Sequence, residues 1–209
     1  MNNLENYVYK KLGDDHTGHS YLHAKRVESN ALLIASSEGG DLSIIKAAAL
    51  VHDTIDPKLF ADTEKESKEL QGFLKNEGYS EKDISSIMYI INNLSWHVEV
   101  LTPGPLDTIE GNIVRDADRL EAIGAIGITR AVEYGANKGR DFWNEEEMKN
   151  ISSGKDINPK DDTTIAHFYD KLLKLQSHFV TKTGKELAKK RSQFLIDFLN
   201  ELKEETPSQ

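Results

Sequence analysis

The chain has 209 residues, 38% of them hydrophobic and 29% charged, with a formal net charge of −9 and no cysteine. That acidity argues against a nucleic-acid polymer as partner, which calls for a basic face, and the missing thiols exclude disulfides and thiolate metal sites. No apolar run of about 18 residues occurs, so no membrane span is expected, and Met1–Tyr7 has neither the basic start nor the apolar stretch of a signal peptide; the expected location is cytoplasmic.

Hydrophobic periodicity is helical nearly throughout, without a convincing alternating strand. A first helix is predicted from Leu4 to Leu12. A longer one begins near Ser20, with Leu22, Val27, Ala31, Leu32 and Ile34 as its apolar stripe, and stops at Gly39-Gly40. Asp41 or Ser43 can cap the next helix, which runs through Ala47-Ala48-Ala49-Leu50-Val51 to His52-Asp53. Thr63-x-x-Glu66 and Ser80-x-x-Asp83 have the spacing of reciprocal caps and open two more helices. Thr102-Pro103-Gly104-Pro105 is a break. Asp107-x-x-Glu110 then opens a long helix from Thr108 to Tyr134, with Gly124 and Gly127 inside it as points of close packing. Two C-terminal helices follow, Thr164–Val180 and Gly184–Lys203. Between Gly135 and Asp162 the pattern lapses, apart from Phe142-Trp143 and a helical turn at Glu145–Lys149. A segment this long in a compact domain is usually functional or disordered, and residues 135–162 are a candidate lid. The expected fold is all-α, a bundle of about eight helices in one domain spanning residues 1–209.

The chemistry concentrates at His52-Asp53. An ionised carboxylate at the end of a buried apolar helix is costly without a partner, and a divalent cation satisfies both side chains at once. A duller explanation is a helix C-terminus, where the dipole welcomes His and Asp begins a turn. Taken alone, the doublet would favour this duller explanation. Two further segments offer ligands, however. One is His23, with Arg26 and Val27 on the same helical face; the other is Asp116-Ala117-Asp118-Arg119-Leu120-Glu121. Two imidazoles and two carboxylates form an N₂O₂ set suited to Mn, Fe, Zn, Ni or Mg. Helical periodicity favours Asp116 as the inward carboxylate, since it aligns with Ile113, Leu120, Ile123 and Gly127.

The order His23, His52-Asp53 and a distal Asp resembles the HD-domain metal-dependent phosphohydrolase superfamily, and its small stand-alone bacterial members most of all. Four blocks carry the resemblance: His23-Ala24-Lys25-Arg26-Val27, Ala49-Leu50-Val51-His52-Asp53, Asp116–Gly127, and Ala166-His167-Phe168-Tyr169-x-Lys171-Leu172-Leu173. It implies a single HD domain in which His23, His52, Asp53 and Asp118 hold one divalent ion (Mn, Mg, Co, Ni, Fe or Zn). On this alignment the distal ligand is Asp118, and Asp116 orients a ligand from behind. Asp56, one turn beyond Asp53, is a candidate general base beside Asp53 itself. Arg26, Lys58, His19, Lys138 and Arg140 are candidate substrate contacts.

Each of these has a plainer role: Arg26 as a surface ion pair, Asp56 as a stop before Pro57, Lys138 and Arg140 as solvated charges, His19 as a cap. His97 and His167 are expected to be structural, and His178 to sit at a helix end. Relatives often show His-Asp-Trp where this chain has His19-Ser20-Tyr21, so no acidic helper is expected at Ser20. His16 and His97 do not complete a second metal set.

The resemblance implies hydrolysis of a nucleotide-type phosphate, with cleavage of a nucleoside triphosphate to monophosphate and pyrophosphate as the leading reaction. Alternatives are a nucleoside 5′-monophosphatase, a cyclic-nucleotide phosphodiesterase and, from another class, a non-catalytic nucleotide sensor. A di-iron oxygenase would need more histidines than can be placed. The apolar residues Phe194, Leu195, Phe198 and Leu199 are expected in the core, with a homodimer seam as the alternative.

Overall fold

Several helices open on side-chain caps. The computed structural model describes all residues except 14, 16, 17, 102, 153–162 and 207–209, and all their side chains except that of His97. Among the described residues are eleven α-helices, one 3₁₀ helix and no strand. Helix α1 (Asn3–Leu12) opens on a box in which Asn2 Oδ1 accepts the Glu5 amide and the Glu5 carboxylate accepts the Asn2 amide. Helices α2 (Tyr21–Glu38) and α3 (Leu42–Val51) follow, with Asp41 capping α3 as expected. In α4 (Thr63–Asn76) the cap is Asp62, which accepts the Lys65 amide, so Thr63 is the first helical residue. The Ser80–Asp83 box opens α5 (Glu81–Asn93). A short α6 (Trp96–Leu101) precedes α7 (Ile109–Leu120), whose first turn is capped by Thr108 Oγ1 accepting the Gly111 amide. Asp107 instead accepts the Tyr89 hydroxyl. Such caps are each worth about 1 kcal/mol.

The long helix expected from Thr108 to Tyr134 is two helices, α7 and α8 (Gly124–Asn137). Ile123 is extended and Gly124 takes φ 75°, a left-handed conformation that glycine adopts without steric cost. Donors from elsewhere take over carbonyls at the end of α7. Arg191 Nη1 donates to the Leu120 carbonyl at 2.6 Å and Arg130 Nη1 to the Glu121 carbonyl at 3.1 Å. These bonds replace intrahelical ones the break leaves open.

Helix α9 (Glu145–Ser152) exceeds the single turn expected there. The Thr164–Val180 helix is also interrupted. Helix α10 (Thr164–Asp170) ends at Lys171, and the chain continues as a 3₁₀ helix over Leu172–His178 before α11 (Lys182–Glu205). The extra elements raise the helix number above eight. Of the irregular stretch, 153–162 lies outside the described residues.

Two compact units are formed, Met1–Asp118 with Val180–Thr183, and Arg119–Phe179 with Gly184–Gln209. In the first, α3 is the hub, with Ala47 through Val51 all at 0% exposure and neighbours α1, α2 and α5. The inward stripe of α2 is His23, Ala24, Val27, Ala31 and Ile34, whereas Leu22 is 65% exposed. The imidazole of His23 takes the inward place that Leu22 was expected to fill. Buried Glu28 is gripped by Lys25 and Lys46, and Lys25 also reaches Glu5, tying α1, α2 and α3 together.

In the second unit, α8 packs on α10, where a Cβ at Gly135 would lie 2.1 Å from Thr164 Oγ1. Leu195 and Leu199 of α11 join the core, Phe198 stacks on Phe168, and Phe194 is exposed. No described helix is long and apolar enough to cross a membrane.

Gly127 is held in close packing of a specific kind. A Cβ there would sit 2.4 Å from the carbonyl carbon and oxygen of Ala122, backbone atoms that cannot swing away. Gly127→Ala is therefore expected to destabilise the protein by about 1–3 kcal/mol despite alanine's better helix propensity. A urea midpoint equal to or above wild type would contradict this.

Candidate metal centre

Three segments of the first unit converge on one point. Helix α3 ends at Val51, and His52, its C-cap, keeps helical backbone angles. The turn is fastened by Thr54, whose amide and hydroxyl both donate to the Val51 carbonyl. His52 Nδ1 lies 2.9 Å from the Ala49 carbonyl, one turn back. A carbonyl can only accept, so Nδ1 carries the proton and the Nε2 lone pair points outward in the neutral ring. Helix α2 brings in His23, and α7 brings in Asp118.

The separations are short: His23 Nε2 to His52 Nε2, 3.2 Å; His52 Nε2 to Asp53 Oδ2, 3.2 Å; His23 Nε2 to Asp118 Oδ1, 3.4 Å. Asp53 Oδ2 is 3.6 Å from His23 Nε2, and Asp118 Oδ1 is 3.7 Å from His52 Nε2. Ligand atoms about 2.0–2.2 Å from a shared cation lie about 3 to 3.6 Å apart at the edges of an octahedron or tetrahedron. His23, His52 and Asp118 each offer an atom within 4.8 Å of the others, a cluster that could hold a metal ion. Asp53 Oδ2 is buried and makes no well-directed hydrogen bond, a costly state for a carboxylate oxygen unless a cation satisfies it. The donor set is the N₂O₂ combination that hard and borderline divalent ions accept. His23, His52 and Asp53 are buried, while the Asp118 side chain is 30% exposed. Solvent therefore reaches the cluster from the Asp118 side.

The structure separates the two aspartates of α7. Asp118 faces the imidazoles. Asp116 is fully buried elsewhere, accepting the Val180 amide at 3.1 Å and the Thr181 amide and hydroxyl at 2.8 Å each. Periodicity rightly marks Asp116 as inward, but it faces backbone donors.

The other candidates lie at varied places. His19 stands edge-on to His23 with ring centroids 6.2 Å apart, and its amide donates to Asp15. Arg26 is one turn beyond His23 and half-buried. Asp56 Oδ1 accepts the Lys58 amide at 2.7 Å, so one carboxylate oxygen is committed to a local turn, and Lys58 itself is exposed. Lys138 and Arg140 belong to the second unit, where both cations lie over the Tyr134 ring at 5.7 and 5.5 Å. Both therefore make cation–π contacts with that ring. The Val180–Thr181 donors had no sequence signal beyond the inward register of Asp116.

Residues 21–123 match the HD domain family. The chain is 34% identical to Bacillus subtilis YpgQ, over 98% of this chain and 92% of that protein. Its structure is similar to that of Bacillus subtilis YpgQ in complex with ADP, with a TM-score of 0.78 at 32% identity, covering 98% of this chain and 96% of that one. An HD-superfamily hydrolase from Bacillus thuringiensis gives a TM-score of 0.76 at 33% identity, over 97% and 94% of the two chains. The chain belongs to the HD-domain phosphohydrolase superfamily.

The electrostatics couple protons to any cation. Burial lowers the pKa of His52, but the negative charges of Asp53 and Asp118 outweigh it and raise the value to about 9. Burial likewise raises Asp53, and the positive charge of His52 more than reverses this, holding the carboxyl below its usual range. Because the folded pKa of His52 exceeds the unfolded one, its contribution to metal-free stability is full below about pH 6.5 and disappears as pH rises through about 9. A cation bound to Nε2 must displace that proton. Metal binding near pH 7.5 is expected to release about one proton from His52 and to weaken as pH falls. Calorimetry in buffers of different ionisation enthalpy checks this, and proton-neutral binding with flat affinity between pH 6.5 and 9 would contradict it.

Proposed function

We propose that the chain is a divalent-metal-dependent phosphohydrolase acting on a nucleotide, and that it cleaves a nucleoside triphosphate to monophosphate and pyrophosphate. The observation that carries this reading is the convergence of His23, His52, Asp53 and Asp118 around a buried carboxylate oxygen without a well-directed hydrogen bond. In this reading those four residues hold the ion. A divalent cation there supplies Lewis acidity, lowering the pKa of coordinated water and neutralising charge on a phosphoryl group.

The residues around it have distinct tasks. The Ala49 carbonyl fixes the His52 tautomer and presents its lone pair. Burial of His23, His52 and Asp53 excludes competing water from the inner side, so substrate approaches past Asp118. His19 and Arg26, beside and one turn beyond His23, are the proposed phosphate contacts nearest the cluster, and Lys58 is a more exposed one. Asp56 is the proposed base or water-orienting carboxylate. The nucleotide assignment is supported by the structure of the relative YpgQ with ADP.

Metal-stripped protein should be tested on nucleoside tri-, di-, mono- and cyclic phosphates with Mn²⁺, Mg²⁺, Co²⁺ or Ni²⁺ restored singly. Pyrophosphate release from a triphosphate is expected, and His52→Ala or Asp53→Ala should lower the rate by more than the about 10–100-fold typical of outer-shell changes, with helical circular dichroism retained. Orthophosphate from a monophosphate would replace the proposed substrate. Full rates in both variants would overturn the site.

A further inference from the structure

We infer that Val180–Thr183 is a positioning strap for the metal centre, joining α7, which carries Asp118, to α2, which carries His23, through the carboxylates of Asp116 and Glu38. The inference rests on the metal reading above. Among the described residues beyond Asp118, these four are the ones that belong to the first unit.

At one end the strap is gripped by Asp116. The carboxylate has no solvent exposure and accepts the Val180 amide, the Thr181 amide and the Thr181 hydroxyl. Losing that acceptor would remove the bonds that two amides and a hydroxyl make to a buried carboxylate. At the other end, Glu38 Oε1 accepts the Thr183 amide at 2.6 Å, in the first turn of α11 where a carboxylate complements the helix dipole.

The placement of these anchors is informative. Residues two apart on a helix point about 200° from one another, so α7 grips the strap on one side while Asp118 meets the imidazoles on the other. Rotation of α7 about its axis would move both together. On α2, Glu38 lies about 22 Å along the axis from His23, so the second anchor fixes the direction of the helix that delivers the first imidazole. Donor separations of 3.2–3.7 Å between the imidazoles and from them to the carboxylates tolerate displacements of only about 0.5 Å. Asp116 and Thr181 are thus positioning residues acting through Asp118.

The test is Mn²⁺ affinity, measured by calorimetry on the full chain without substrate. Asp116→Asn is expected to weaken Mn²⁺ binding about 10–100-fold. Thr181→Val, which removes one hydroxyl bond with little change of shape, is expected to weaken it about threefold or more. Leu70→Ala, in the fully buried face of α4, supplies a destabilised control that should lose melting temperature and keep wild-type Mn²⁺ affinity. Should Asp116→Asn fail to fold, Thr181→Val against Leu70→Ala decides the matter. Weakened binding in Asp118→Ala with wild-type affinity in Thr181→Val would overturn the strap alone. Equal weakening in Leu70→Ala and Thr181→Val would reduce the strap to a general stability element and also overturn it. Wild-type affinity in Asp118→Ala would overturn the metal reading and the strap with it.

Discussion

Asp53 places a carboxylate oxygen in a buried position against two imidazoles, without a well-directed hydrogen bond. In a metal-free chain the debt is met by a proton on His52, which is why that imidazole stays cationic to about pH 9. A proton is a poor substitute for a divalent ion, since it resides on one nitrogen and leaves the remaining donors facing each other. The arrangement around Asp53 is one that a cation would satisfy, and on the proposed reading neighbouring features support it. They include the Ala49 carbonyl that sets the His52 tautomer, the Thr54 bonds that close the turn, and the placement of α2 and α7.

The burial gradient across the cluster connects packing to chemistry. Three of its residues are sealed by the apolar hub of α3 and the inward stripe of α2, and only Asp118 is substantially open. A cation held there would be shielded from water on the protein side and open to a phosphate group on the other. The overall charge of −9 is no obstacle, because a local cation reverses the potential within a pocket.

Much of this was legible in the sequence, for identifiable reasons. His52 and Asp53 close an apolar helical run that makes their burial visible, whereas the stripe read for α2 put Leu22 inward and His23 was singled out by its combination with the other blocks. The Asp116–Asp118 ambiguity shows where periodicity stops: it identified Asp116 as buried, correctly, but α7 has two inward-facing neighbours and periodicity does not say which one a carboxylate meets. The resemblance to HD-domain proteins singled out Asp118, the carboxylate that the structure sets beside the imidazoles. The break between α7 and α8 was hidden because periodicity does not show the side chains that take the carbonyls there, Arg191 from far along the chain on Leu120 and Arg130 from α8 on Glu121. The α4 cap shifted by one residue because Asp62 and Thr63 are both good caps. Val180-Thr181 carries no motif at all, and only tertiary contact gives it a role.

The most direct test is a crystal structure of the protein grown with Mn²⁺, with anomalous differences collected at the manganese edge. The account predicts one strong peak about 2.0–2.3 Å from His23 Nε2, His52 Nε2, an Asp53 oxygen and an Asp118 oxygen, with Asp116 still bound to Val180 and Thr181. A peak coordinated by Asp116, or none near His52 in crystals of protein that binds Mn²⁺ in solution, would contradict it.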